Sequence, residues 1–98
     1  MIVRIVRMEF APEKVEAFLA MFNATKSRIR HFPGVLHLEL HRDLELPHVF
    51  YTYSHWEDAA ALEAYRVSDL FQSVWAETKS YFGGRPQAFS LVQEMVVE

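Results

Sequence analysis

The sequence predicts an α+β fold. Four strands and two helical regions follow one another in the order βαββαβ, building one antiparallel sheet with its helices on one side. Three observations carry this reading. Four stretches alternate in polarity with the two-residue period of a strand, and two others repeat apolar residues at helical spacing. Segments rich in Pro and Gly punctuate the joins.

Ile2 to Phe10 alternates, with Ile2, Arg4, Val6, Met8 and Phe10 on one face and Val3, Ile5, Arg7 and Glu9 on the other. Pro12 suits a first helical turn, where its missing N–H would find no partner anyway, and Glu13 favours the positive end of the helix. Val15, Phe18, Leu19, Phe22 and Ile29 form one apolar stripe, which predicts a helix over Pro12–Arg30. His31-Phe32-Pro33-Gly34 stops it. Val35 to Arg42 alternates again, with Leu36, Leu38 and Leu40 against His37, Glu39 and His41. Asp43 to Pro47 reads as a hairpin connection and Val49 to Trp56 as the third strand. The second helical region covers roughly Asp58–Phe82, in two apolar phases: Ala61, Leu62 and Tyr65, then Val67, Leu70, Phe71, Val74 and Trp75. The phases do not join smoothly. Ser68-Asp69 sits at the break and makes a good N-cap, so a kink or two abutting helices is expected there. Gly83-Gly84-Arg85-Pro86 ends the region, and Ala88 to Val97 is the last predicted strand. Right-handed crossovers turn this order into a ferredoxin-like sheet with both helical regions on one face.

The 98 residues are expected to form a single domain over 1–98. The first, third and fourth strands are apolar on both sides: Val3 and Ile5 oppose Ile2, Val6 and Met8, Val49, Tyr51 and Tyr53 oppose Phe50 and Trp56, and Phe89, Leu91, Met95 and Val97 oppose Ala88, Val92 and Val96. So short a chain cannot cover both faces itself, and a homodimer, with a second copy of the sheet on the open face, is the expected remedy. The formal charge is −3 with scattered Lys and Arg, which argues against a nucleic-acid partner. With no Cys, disulfides, thiolate catalysis and Cys-based zinc sites are excluded. There is no Gly-rich phosphate loop, Ser nucleophile motif or flavin or nicotinamide fingerprint. No apolar run approaches the roughly 20 residues of a membrane span, and Met1 leads straight into a strand pattern rather than a signal peptide. A cytoplasmic protein without a membrane partner is expected.

Several quoted segments resemble the antibiotic biosynthesis monooxygenase family of dimeric α+β-barrel proteins. These are Phe32-Pro33-Gly34-Val35 opening the second strand, the strand ending in Trp56-Glu57-Asp58, then Ala61-Leu62-Glu63-Ala64-Tyr65 and Ser68-Asp69-Leu70-Phe71. The resemblance implies a pocket in each subunit between sheet and helices, and cofactor-independent reaction of molecular oxygen with an activated phenol or quinol. It also marks departures. Many members carry His where this chain has Tyr65 and Leu70, and haem-degrading members use Asn, Trp and His where it has Val6, Tyr65 and Trp75. Haem degradation by that arrangement is therefore not expected.

The candidate chemistry is aromatic. Trp56 and Tyr65 either stack on a flat substrate or plug the strand–helix junction, and the Tyr65 hydroxyl needs a partner in either case. Tyr51, Tyr53, Phe71 and Trp75 are further candidates for a substrate-binding wall, the last two sharing a stripe that core packing explains as well. His55 and His37 are the candidate general bases, since an imidazole near neutral pKa could take a phenolic proton. His37, Glu39 and His41 point the same way, but a strand spreads alternate residues by about 6.6–6.8 Å, too far for one ion to bind the outer pair. No metal and no cofactor are expected. Arg4 lies on an otherwise apolar face and needs an anionic partner, from the protein or from a ligand, unless it sits at a wet edge. The function expected is oxidation of a small aromatic or quinol-like molecule. The alternative is a non-catalytic small-molecule-binding or stress-response protein on the same scaffold.

Overall fold

The computed structural model describes all 98 residues, Met1–Glu98. Its elements are β1 (Ile2–Glu9), a 3-10 turn (Pro12–Lys14), α1 (Val15–Arg30), β2 (Val35–Arg42), β3 (Val49–Trp56), α2 (Ala59–Arg66), α3 (Asp69–Lys79) and β4 (Gln87–Val92). The sheet order is β2-β3-β1-β4 and every neighbouring pair is antiparallel. This is the ferredoxin-like α+β fold that the element order predicts. No helix is long and apolar enough to cross a membrane.

The second helical region is two helices, as its phase break predicts. Asp58 caps α2 by accepting from the Ala61 N–H at 2.8 Å, and Ser68 caps α3 by accepting from the Phe71 N–H at 3.1 Å. Each side-chain oxygen satisfies a helix-end donor that would otherwise lack a partner. The Ser68 hydroxyl also donates to the Tyr65 carbonyl at 2.6 Å, closing the end of α2 on the start of α3.

Three boundaries differ from the sequence reading. The first predicted helix begins as a 3-10 turn and becomes α-helical only at Val15. In β2, Val35 pairs with Trp56 and His37 with His55, so Leu36 is an extra residue on the bulged strand and is 48% exposed. A bulge leaves its additional residue out of the alternation, which is why Leu36 does not join Leu38 and Leu40 on the helix side. The last strand stops at Val92 instead of Val97, because its only neighbour is β1 and Val92 already lies opposite Ile2 at the end of that strand.

The core occupies one side of the sheet. Met8, Phe10 and Phe50 meet Val15, Phe18 and Met21 of the first helical segment, and the rings of Phe10 and Phe18 stack with centroids 4.1 Å apart. A smaller group joins Val35, Trp56 and Leu62, with Phe32, Ala61 and Tyr65 packed against it. Full burial of side chains this large stabilises by about 1.5–3 kcal/mol each.

Gly34 sets how closely β2 can approach α2. Its φ is +91°, and a Cβ there would collide with the Cβ of Ala61. Its carbonyl also accepts from the Glu57 N–H at 2.8 Å. Gly34→Ala is expected to cost about 2–4 kcal/mol, combining the left-handed backbone penalty with overpacking. Urea unfolding should show a lower midpoint at unchanged slope. Adding Ala61→Gly should recover the steric part and leave the backbone part.

Candidate functional site

An apolar cavity of about 180 Å³ lies between the sheet and the helices. Strand alternation sends Arg4, Val6 and Met8 of β1, Thr52, Ser54 and Trp56 of β3, and Leu38 and Ala88 of the outer strands to its floor. The helices supply Phe18, Phe22 and Ile29 from α1, Leu62, Tyr65 and Arg66 from α2, and Phe71, Val74, Trp75 and Thr78 from α3. Arg66, Pro86 and Ala88 are exposed, so the mouth lies between the end of α2 and the start of β4. An engineered apolar cavity of about 150 Å³ is enough to hold benzene. The space here therefore suits a single substituted aromatic ring, and a polycyclic one needs the rim to open.

The rings around it form a chain. Tyr65 packs on Trp56 at 5.0 Å, on Phe32 at 5.2 Å and on Phe71 at 5.1 Å, and Phe71 stacks on Trp75 at 5.8 Å with only 14° between planes. The polar tips of Trp56 and Tyr65 are used differently. The Trp56 indole N–H donates to Ser54 Oγ at 3.0 Å, so this side chain offers a ligand only ring surface. The Tyr65 hydroxyl has no protein partner within hydrogen-bond distance, although its ring is largely buried. Burial pushes its phenol up to about 12, so at neutral pH it is a donor and not a base.

Arg4 is half-buried at the mouth and its guanidinium Nη1 donates to Ser90 Oγ at 2.8 Å. No carboxylate lies within ion-pair distance of it. Burial first, and then repulsion from Arg66, lowers its pKa from the ordinary arginine value.

The structure thus brings together Arg4, Trp56, Tyr65, Phe71 and Trp75 and separates them from the other sequence candidates. His37, His55, Tyr51 and Tyr53 have the opposite strand parity and sit on the outer face of the sheet. There His55 Nε2 meets the Tyr53 hydroxyl at 2.8 Å, and Glu39 bridges His37 and His41, which lies 2.5 Å away. Hydrogen bonds from His37 and then His41 hold the Glu39 carboxyl below the usual carboxylate range. Neither candidate base reaches a ring held in the cavity, because side chains two residues apart on a strand share a face and these occupy the wrong one. Arg66, Thr52 and Ser54 are lining residues that the sequence reading passed over. The signal for Arg66 was present: Leu62, Tyr65 and Arg66 fall at i, i+3 and i+4 on one helix face.

The profile of a family described as antibiotic biosynthesis monooxygenase matches residues 1–76. The chain belongs to this family. Solved structures agree on the fold. An antibiotic biosynthesis monooxygenase superimposes with a TM-score of 0.88 at 19% identity, over 95% of this chain and 98% of that one. A candidate member from Deinococcus radiodurans gives 0.90 at 13% identity, over 100% and 97%. Another from Nitrosomonas europaea gives 0.85 at 17%, over 97% and 100%. No curated protein matches the sequence. Val6, Tyr65 and Trp75 all lie on the cavity wall.

Tyr65 has a measurable signature independent of any ligand. Its folded pKa is raised, so the neutral phenol stabilises the fold below about pH 10, and this contribution is lost as pH rises towards about 12. Tyr65→Phe should leave neutral-pH stability within about 0.5 kcal/mol, since no protein hydrogen bond is broken. It should also remove on the order of 2 kcal/mol of the alkaline loss. Urea unfolding of both proteins across that pH range checks the difference.

Proposed function

We propose that this protein is a cofactor-independent monooxygenase of a small aromatic or quinol-like substrate, held in the cavity between sheet and helices. One observation carries the reading: the cavity is walled by aromatic rings, and the hydroxyl of Tyr65 has no protein partner. Ring stacking on Trp56, Phe71 and Trp75 would hold a flat molecule, and the hydroxyl would donate to a substrate oxygen. Donated to a phenolic oxygen, that hydrogen bond would favour the phenolate and leave the ring electron-rich for attack on oxygen, while Arg4 and Arg66 would hold an anionic substituent at the mouth. In such a reaction the substrate supplies all the electrons. A phenol and dioxygen give a quinone and water: one oxygen atom forms the new carbonyl, and the other leaves with the two hydrogens lost from the ring carbon and the hydroxyl.

A second reading has its own support. Neither a histidine nor a carboxylate lines the cavity, so no protein group there is a base at neutral pH. That favours non-catalytic binding of a small molecule on the same scaffold. Oxygen uptake separates the two. The oxygenase reading expects a reduced monocyclic or bicyclic phenol to consume dioxygen in step with product, with one labelled atom incorporated. It also expects Tyr65→Phe to weaken substrate binding by about 0.5–1.5 kcal/mol. Saturable binding without uptake above the rate in buffer leaves the binding role.

The homodimer belongs to the same proposal. The outer sheet face carries Ile5, Phe89 and Leu91 with no helix packed on it, and Phe89 and Leu91 are 50% and 48% exposed, whereas Val3 on the same face is already buried. Met95, Val96 and Val97 beyond β4 are also exposed. A second copy laid on that face would cover them, and it would place the His37, Tyr53 and His55 cluster at the interface instead of at the cavity. Sedimentation at micromolar concentration is expected to show a dimer, and Ile5→Glu to give monomer or insoluble protein. A well-folded monomer of the unaltered chain sinks the dimer.

A further inference from the structure

The cavity has an uneven charge pattern. Its lining contains two charged side chains, Arg4 and Arg66, both cationic and both towards the mouth, while the rest of the wall is uncharged: apolar or aromatic apart from the hydroxyls of Thr52, Ser54 and Thr78. Arg66 has one carboxylate nearby, Glu63 at 3.4 Å, in a pair exposed on both sides and therefore weak. Arg4 has none. It stands on the central strand β1 opposite Ser90 of β4, and its side-chain partner is the neutral Ser90 hydroxyl. A partly buried guanidinium with one neutral acceptor has unused donors in a fixed planar fork, the geometry that matches a carboxylate. Burial lowers the pKa of Arg4, and repulsion between the two arginines lowers it further. An anion between them would reverse that interaction.

We propose that the ligand of this cavity is an aromatic carboxylate. One ring would lie against Tyr65 and Trp75, and the carboxylate would face the mouth, where Arg4 binds it directly and Arg66 adds a second, more solvated charge. This rests on the aromatic-cavity reading and deepens it by naming the ligand class. The volume limits the ring to one, or to a compact fused pair if the rim yields. The polarity limits its orientation, because only the mouth end can neutralise a charge. A hydroxyl opposite the carboxylate would point inward, towards the Tyr65 hydroxyl. The arrangement needs no base in the cavity for recognition, since a carboxylic acid arrives ionised at neutral pH.

The probes are para-hydroxybenzoate and its amide, which share ring, shape and hydroxyl and differ in charge. Binding is read without turnover, by protein NMR titration under nitrogen. The unaltered chain is expected to bind the acid about tenfold or more tightly than the amide, the scale of one charge-assisted hydrogen bond. Arg4→Gln should bring the two within about twofold, with the acid losing more affinity than the amide. Arg4→Lys should keep part of the preference, because the charge remains and the fork does not. Arg66→Gln should give a smaller loss that added salt imitates. Equal affinity of the unaltered chain for acid and amide overturns the proposal and leaves the aromatic cavity standing. It is also the result expected if a carboxylate of the C-terminal segment, Glu94 or Glu98, already neutralises Arg4 in solution. Binding of neither probe overturns both readings. Because the first comparison uses no variant, a failure of Arg4→Gln to fold does not shelter the proposal.

Discussion

Tyr65 is the side chain on which sheet, helices and cavity meet. Its ring touches Trp56 from β3, Phe32 from the loop before β2 and Phe71 from α3, so four segments converge on one residue. Aromatic pairs of this kind contribute about 0.5–1.5 kcal/mol each beyond the area they bury. The contact with Phe71 is possible only because the chain breaks at Val67-Ser68. A continuous helix would carry Phe71 round to a different side, whereas the new cap at Ser68 restarts α3 in a phase that turns Phe71, Val74 and Trp75 back towards the sheet. The residues that flank the break, Tyr65 and Arg66 before it and Phe71 after it, line the cavity.

The cavity opens at its mouth, between the end of α2 and the start of β4. Large side chains stand around it, Phe22, Phe71 and Trp75 among them. That it stays open, with an unspent phenol and an unpaired guanidinium on its wall, fits a space shaped by what enters it.

The pleat divides the chemistry of the chain in two. On the helix side stand a phenol held neutral, two guanidiniums and a wall of rings. On the outer side stand three imidazoles, a carboxylate and two more phenols, coupled through Glu39 and through the Tyr53–His55 hydrogen bond. Where the two sets share a strand, as Trp56 and His55 do on β3, they differ by one residue in register. An imidazole adjacent in sequence to the cavity wall, as His55 is to Trp56, is therefore a full sheet thickness away from a bound ring.

Much of this was legible in the sequence. Alternation and helical spacing determined the element order, the antiparallel sheet and the break at Ser68, because those signals are local and set by backbone geometry. They also assigned Arg4 and Tyr65 to apolar faces where their polar groups would need partners. Other features depended on neighbours distant in the chain. The early end of β4 follows from where β1 runs out, and the displacement of Leu36 from a bulge that only strand pairing creates. Which sheet face would receive the helices was equally hidden in β1, β3 and β4, since both faces of those strands are apolar enough to be buried. That choice put the histidines outside and Arg4 inside. It was made by the packing of α1, α2 and α3 on the side of Met8, Phe50 and Trp56, where the large rings interlock.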